Sequence, residues 1–157
     1  MSAVSKRQIY KRGESLKMTT STPGQVQYIN PDDLSKNPAF TQVVTVTGPL
    51  KTVYIGGQDA IDASGTIVGK GDIQQQAEQV LDNLQAALKA SGAELENIIK
   101  WNVYIVQGQP LRPAFEVFQQ TLGRKPNPPA VTVLFVAGLA HPDFLVEMDA
   151  IAVVPEQ

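Results

Sequence analysis

The sequence predicts an α+β fold, a two-layer sandwich in which two helices pack on one face of a single sheet. Several short segments are rich in Val, Ile, Thr and Phe and alternate in the manner of strands, while two longer segments carry apolar residues at helical spacing. A chain of 157 residues, 43% of them hydrophobic, is long enough to bury one core of this kind.

The first strands are expected after residue 40. Residues 19–39 are rich in Thr, Ser, Pro and Asn, which predicts irregular coil. Residues 41–47 and 52–56 have strand patterns, and the Gly-Pro pair between them predicts a turn, so these two strands would form a hairpin. A Gly-rich connection follows, in which residues 66–68 could add a short strand.

Two helices flank one clearly alternating strand, residues 98–106. Asp72 predicts the first N-cap, with Gln75 three residues later as in a capping box, and Ser91-Gly92 predicts the end of that helix. The second helix is expected over about residues 110–122. The apolar stripe of the first helix is Ile73, Ala77, Val80, Leu81, Leu84 and Leu88, and that of the second is Leu111, Ala114, Phe115, Phe118 and Leu122.

Two apolar runs, residues 130–137 and 144–154, are separated by a short loop and are predicted to pair as a second hairpin. The first run is apolar on both faces, so we expect both faces to be covered. Two helices cover only one, which predicts a homo-oligomer whose sheets meet at bare apolar faces. Glu147 and Asp149 share a strand face and would lie beside that interface, where small ligands often bind.

Composition narrows the classes of function. The net charge of −2 and pI near 5.3 predict neither a nucleic-acid partner nor a membrane surface partner. With no Cys and one His, His141, we expect no metal site and no cofactor. No apolar run has membrane-spanning length, and a cytoplasmic location is expected.

Residues 1–24 are expected to be a flexible N-terminal extension, and residues 25–157 to be the folded domain. Lys and Arg outnumber acids in the first seventeen residues, and no apolar core follows, so a secretory signal is not expected. Two readings stay open: Met18 as a second start, or a basic arm that binds a partner.

Five collinear pieces together resemble the RidA (YjgF) family, also labelled endoribonuclease L-PSP or translation-inhibitor proteins. They are TVYIGGQ (52–58), the segment from GTIVGKGD to NL (65–84), IIKWNVYI (98–105), PPAVT (128–132) and LVEMDAIA (145–152). The resemblance spans roughly residues 25–155. It implies a chorismate-mutase-like fold with one mixed sheet, a homotrimer with three clefts between subunits, and hydrolysis of enamine and imine intermediates to keto acids and ammonia.

The resemblance also implies site positions. The family's strand glycine matches Gly57, followed by Gln58, and its strand acid matches Glu147, which in active members helps to hold the attacking water. Its catalytic Arg falls at Val131, next to Thr132, both of which would line the ligand site.

Three further positions depart from the family. A common Cys is Val133 here, the site Tyr is Phe40, and a site Asn aligns best with Arg112. In active members the Arg can hold the substrate carboxylate bidentately, which Val131 cannot do. Arg112 is either a replacement cation or a solvated helix residue.

Three functions are therefore weighed. The first is a homotrimer that binds a small carboxylate or neutral metabolite in its clefts, without standard 2-imino acid deaminase activity. The second is an enamine or imine deaminase, a hydrolase with a rearranged site. The third is the endoribonuclease or translation inhibitor of the family label, which the acidic pI and the single His disfavour.

Overall fold

The strands and helices are those of a computed structural model, which describes residues 23–122 and 126–156. In chain order they are β1 (Gln25–Ile29), β2 (Val43–Thr47), β3 (Leu50–Gln58), α1 (Ile73–Ala90), a 3₁₀ turn (Leu95–Asn97), β4 (Ile98–Val106), α2 (Leu111–Leu122), β5 (Ala130–Val136) and β6 (Val146–Pro155). The basic segment, Met18 and almost all of the expected extension over 1–24 lie outside the described residues.

Four of the strands form a mixed sheet in the order β3-β6-β4-β5. The pairs β3–β6 and β6–β4 are antiparallel, whereas β4 and β5 are parallel and are joined by α2 as a crossover. Both helices lie on one face: α1 contacts β3, β6 and α2, and Phe118 of α2 packs against Trp101 of β4. The predicted α+β sandwich is therefore confirmed.

The expected hairpin of residues 130–137 with 144–154 is wrong. The two runs correspond to β5 and β6, but β5 lies at the sheet edge beside β4, and β6 lies between β3 and β4. A short loop favours a hairpin between the two strands it joins only when neither strand can pair more extensively with other strands of the sheet. In the centre of the sheet, β6 pairs with a strand on each side and most of its residues are buried.

The expected hairpin of residues 41–47 with 52–56 is also wrong. The second strand of that pair, β3, is bonded to β6, while β2 pairs antiparallel with β1 in a separate two-stranded sheet. Residues 25–29 were expected to be coil because of the polar composition around them; they alternate half-buried Val26 and Tyr28 with exposed neighbours. Residues 66–68 contribute only an isolated bridge between Ile61 and Ile67.

The ends of α1 are where the sequence predicts them. The Asp72 carboxylate accepts hydrogen bonds from the backbone N–H groups of Gln74 and Gln75, at 3.0 and 3.2 Å, and the Gln75 side chain bonds back to Asp72. Ser91 is the C-cap, and Gly92 has the positive φ of 73° that lets the chain leave the helix. The predicted stripe of α1 is buried throughout.

The buried side of α2 is narrower than the sequence predicts. Ala114 and Val117 are buried and Phe118 is half-buried, but Leu111 is exposed and Phe115 keeps 52% of its surface. The side chain of Leu122 lies outside the described part. Among the described residues α2 has one helix neighbour, α1, so only part of its apolar stripe finds a partner.

The uncovered face of the sheet is mixed, and not the wholly apolar face that was expected. Strand register places on it the polar residues Lys100, Asn102, Tyr104, Thr132, Glu147 and Asp149, beside the apolar Leu134 and Ile151. Exposed apolar surface is concentrated on β5, where Val133, Leu134 and Phe135 each keep about half of their surface. Neither helix in the described ranges is long and apolar enough to cross a membrane.

Candidate functional site

Glu147 lies against the backbone of Gly57 at an irregularity between β3 and β6. The register shifts between Ile55 and Gln58, so the two glycines of the GGQ motif form a bulge in β3. A Cβ placed on Gly57 would overlap the carboxyl group of Glu147, so any larger residue at this position would have to push the Glu147 side chain aside. Glycine at this position therefore leaves the space that the Glu147 carboxyl group occupies, and the structure brings together two residues that the sequence analysis had matched to the family separately.

The side chain of Gln58 supports the bulge. Its Nε2 donates hydrogen bonds to the backbone oxygens of Gly56 and Gly57, at 3.0 and 3.3 Å. Gln58 thus closes a local loop on its own strand and stays half-buried beside Met148. It positions the glycine that Glu147 contacts.

Asp59, immediately after β3, is a site residue that the sequence did not single out. The loop that carries it is fixed by Asn83 of α1, whose Nδ2 donates to the backbone oxygens of Asp59 and Ile61, each at 2.8 Å. The carboxyl oxygen Oδ1 of Asp59 is buried and has no hydrogen-bond partner among the described residues. The signal in the sequence that could have indicated Asp59 is its position directly after the GGQ motif.

The two acids have altered proton affinities. Partial burial raises the pKa of Glu147 above its ordinary value of 4.5, and the negative charges of Asp59 and Asp149 raise it further. Burial also raises the pKa of Asp59. No described residue donates a hydrogen bond to the carboxyl group of either acid, so neither anion has the stabilisation that normally lowers such a pKa.

Asp149, two residues along the same strand face, is by contrast fully engaged. Its carboxylate accepts from Nδ2 of Asn102 at 2.8 Å and from the hydroxyl of Tyr104 at 2.9 Å. The hydrogen bond from the Tyr104 hydroxyl to Asp149, together with the charges of Asp149 and Glu147, raises the pKa of Tyr104. The polar face therefore contains one satisfied carboxylate beside one that lacks partners.

A second group of predicted site residues gathers at the start of β5. Thr41 is buried and donates its backbone N–H to Pro129 and its hydroxyl to Pro128, at 3.0 and 2.6 Å. These bonds hold the half-buried Phe40 beside the chain that leads into Val131. The next residue, Thr132, receives a hydrogen bond from Lys100.

Val131 and Glu147 lie on opposite faces of the sheet. Val131 is in register with the buried Trp101 and packs against the core below the helices. Glu147 stands between the buried Val146 and Met148 and points the other way. Within one copy, then, the position that carries the family Arg does not face the strand acid.

Among the residues that the structure describes, Arg112 forms no hydrogen bond or ion pair with those around Glu147 or with those at the start of β5. Its guanidinium pairs with Glu116 one turn along α2, at 2.8 Å, and its side chain is 90% exposed. This is the geometry of a solvated helix pair. Among residues 23–122 and 126–156, no three His, Asp or Glu side chains are arranged to hold a metal ion.

This fold is that of the YjgF/Rid class of small α+β proteins. A crystal structure of YyfB from Yersinia pestis, a Rid family protein of unknown function, matches with a TM-score of 0.71 and 29% identity over 82% of this chain and 98% of that one. Escherichia coli TdcF with bound serine matches with a TM-score of 0.59 and 30% identity over 66% and 80% of the two chains.

The chain belongs to the family described as Endoribonuclease L-PSP, whose family model matches residues 33–154. Human 2-iminobutanoate/2-iminopropanoate deaminase is 30% identical over 114 residues, which are 73% of this chain and 79% of the human protein. The resemblance noted in the sequence is thereby confirmed at the level of family and fold.

Proposed function

We propose that this protein is a cytoplasmic homotrimer that binds a small metabolite in clefts between its subunits and does not carry out standard 2-imino acid deamination. The cleft would combine Gly57, Gln58 and Glu147 of one copy with Phe40, Val131 and Thr132 of a neighbour. Arg112 is included only as the alternative cation. The domain that forms the cleft is proposed to be residues 25–157.

The chemistry at Val131 carries the proposal. A substrate carboxylate needs a cation or donors, and Val131 supplies neither. The acids at the other group, Glu147 and Asp59, would repel a carboxylate that approached them. A neutral amide- or imine-like ligand suits these surroundings better than an anion does.

Two observations support assembly from several copies. Residues that the resemblance assigns to one cleft lie on opposite faces of a single sheet, so a cleft that contains both requires a second subunit. In addition, three consecutive apolar residues of the edge strand β5 are half-exposed in one copy, where a neighbour could cover them.

The test is a hydrolysis assay. An amino-acid oxidase generates 2-iminopropionate, semicarbazide traps what remains, and the decay is followed with this protein, with the human deaminase, and with neither. Losing a charged hydrogen-bonding group costs on the order of 2–4 kcal/mol, so a rate ~30- to 1000-fold below that of the human enzyme is expected. Rates that match the human enzyme would overturn the proposal.

Binding is tested separately by a ligand-detected NMR screen of small keto acids, amides and amino acids, with Glu147→Gln as the matched variant. A hit that binds the wild type and is lost in Glu147→Gln supports the cleft. If hits bind both proteins equally, the binding site lies elsewhere.

The second candidate is a deaminase with a rearranged site, which the deaminase activity named for the human relative favours. It requires a cation for the substrate carboxylate, and Arg112 is the candidate. The pairing of Arg112 with Glu116 argues against this role. The endoribonuclease activity in the family description is the least favoured candidate, since the chain carries a net negative charge.

A further inference from the structure

We propose that Asp59 is the positioning residue of this site: its carboxyl group and that of Glu147 form one acid–base unit that holds a single shared proton. Glu147 would then be able to donate a hydrogen bond to a ligand in a pH range where an isolated glutamate has lost its proton. The inference rests on the proposed function only in that Glu147 is the group that meets the ligand.

The strand register brings the two acids to neighbouring positions, although Asp59 lies one residue beyond the end of β3. In the antiparallel pair of β3 and β6, Gln58 is the partner of Met148. One further step along that register brings Asp59 opposite Glu147. The bulge at Gly57 lets the Glu147 side chain lie directly on the β3 backbone, two residues before Asp59.

Neither acid has an alternative partner among the described residues. Within residues 23–122 and 126–156, the Oδ1 atom of Asp59 is buried without a donor, and no ion pair or hydrogen bond reaches the Glu147 carboxyl group. Other acids of the chain differ: Asp72 caps α1, and Asp143 pairs with Lys70 at 2.9 Å. Two neighbouring carboxylates without donors cannot both remain ionised cheaply, and a shared proton removes one charge.

The other charged and polar side chains around Glu147 do not stabilise its negative charge. Asp149, on the same strand, is negative and already bonded to Asn102 and Tyr104. Tyr104 is the register partner of Glu147 on β4, but its hydroxyl is committed to Asp149. The Lys100 ammonium on the same face bonds to Thr132. Among the described side chains around Glu147, Asp59 is the one left to share a proton with it.

The experiment is a side-chain carboxyl ¹³C NMR titration of the full-length protein, with the Glu147 resonance assigned by its loss in Glu147→Gln. In the wild type, the Asp59 and Glu147 resonances should each shift in two steps, because coupled groups titrate as a pair. In Asp59→Asn, the Glu147 midpoint should fall by ~0.5 pH units or more, since one like charge has been removed. Asp82→Asn, the same change on the solvent-exposed face of α1, should leave the Glu147 midpoint unchanged.

Three results would overturn the inference: an unchanged Glu147 midpoint in Asp59→Asn, independent single-step titrations in the wild type, or a fall seen only in Asp149→Asn. If Asp59→Asn does not fold, the two-step titration of the wild type still decides. Because the titration needs no ligand, a negative ligand screen beside a coupled titration would refute the proposed function and leave this inference standing.

Discussion

The carboxyl group of Glu147 occupies the space that a side chain at position 57 would need. The hypothetical Cβ of Gly57 would lie 2.0 Å from Oε1, and no neighbouring atom would lie within 4 Å of a Cβ on Gly56. Two adjacent glycines of one bulge are therefore open to very different substitutions, which makes them a matched pair for experiment.

We expect Gly57→Ala to displace the Glu147 side chain, to weaken ligand binding and to destabilise the fold by no more than ~1 kcal/mol, because the overlap is with the end of a flexible side chain. Gly56→Ala should leave all three properties nearly unchanged. Denaturant unfolding gives the stability. In a Glu147→Ala background the cost of Gly57→Ala should largely disappear, because its clash partner has gone. An equal cost in both backgrounds would show that the backbone, and not Glu147, requires the glycine.

The pH dependence of stability should follow the raised pKa of Glu147. A carboxyl whose pKa is higher in the folded state stabilises the fold fully below the unfolded value, 4.5, and loses that contribution as the pH rises through the folded pKa. Glu147→Gln should therefore be more stable than the wild type at pH 8, by less than ~1 kcal/mol given the partial exposure, and equal to it near pH 4.

Urea unfolding at the two pH values measures this difference. Glu156→Gln, which removes an exposed acid beyond β6, is the matched control for the loss of one negative charge. A Glu147→Gln difference that is the same at both pH values would mean that the effect comes from packing and not from charge.

A charge on β5 should disrupt the proposed trimer. Val133 is 50% exposed in one copy, and Val133→Glu would place a carboxylate in the neighbour's interface. Light scattering is expected to give a trimer mass for the wild type and a smaller mass for Val133→Glu. Ala86→Glu, on the exposed side of α1, should keep the trimer. A wild-type monomer at micromolar concentration would contradict the assembly.

Removing the guanidinium of Arg112 should have little effect. The side chain is 90% exposed and its pair with Glu116 is a surface helix pair, which contributes ~0.3–0.5 kcal/mol. Arg112→Ala should bind any ligand found in the NMR screen within twofold of the wild-type affinity. Loss of binding or of imine hydrolysis, with the trimer intact, would instead assign Arg112 to the site.

Gln76 is a fully buried polar side chain that joins α1 to the loop before β6. It donates to the backbone oxygen of Asp143 at 2.7 Å and accepts from the N–H of Leu145 at 2.8 Å. Gln76→Met would leave these buried groups unpaired, at about 1–3 kcal/mol for each. Thermal unfolding should show a large loss for Gln76→Met and almost none for Gln85→Met, an exposed position on the same helix.

The helix ends and the strand patterns were predictable because their signals are local. Asp72 satisfies N–H groups two and three residues away, and the alternation around Glu147 correctly indicated which face it shares with Asp149. Strand pairing was not predictable in this way. Whether β6 pairs with β5 or enters between β3 and β4 depends on contacts across the whole sheet, and a short loop gave the wrong indication.

The candidate site could be predicted only in part, because it too depends on contacts between distant parts of the chain. The family resemblance indicated Gly57 and Glu147 as separate site positions, and their direct contact is visible only in the structure. The backbone of Asp59 is held by Asn83, 24 residues away, and follows the bulge of β3, and neither feature has a pattern in the sequence. The placement of Val131 and Glu147 on opposite faces required the strand register.

The central position of β6 has a consequence for how the chain is made. Ribosomal synthesis delivers β3, β4 and β5 before β6, yet β3 has no described link to β4 except through β6. Until the last strand emerges, the nascent chain holds two unjoined sheet fragments with exposed edges, a state that is prone to aggregation. Folding must then close contacts between segments far apart in the chain, so it should be slow and should occur late in translation.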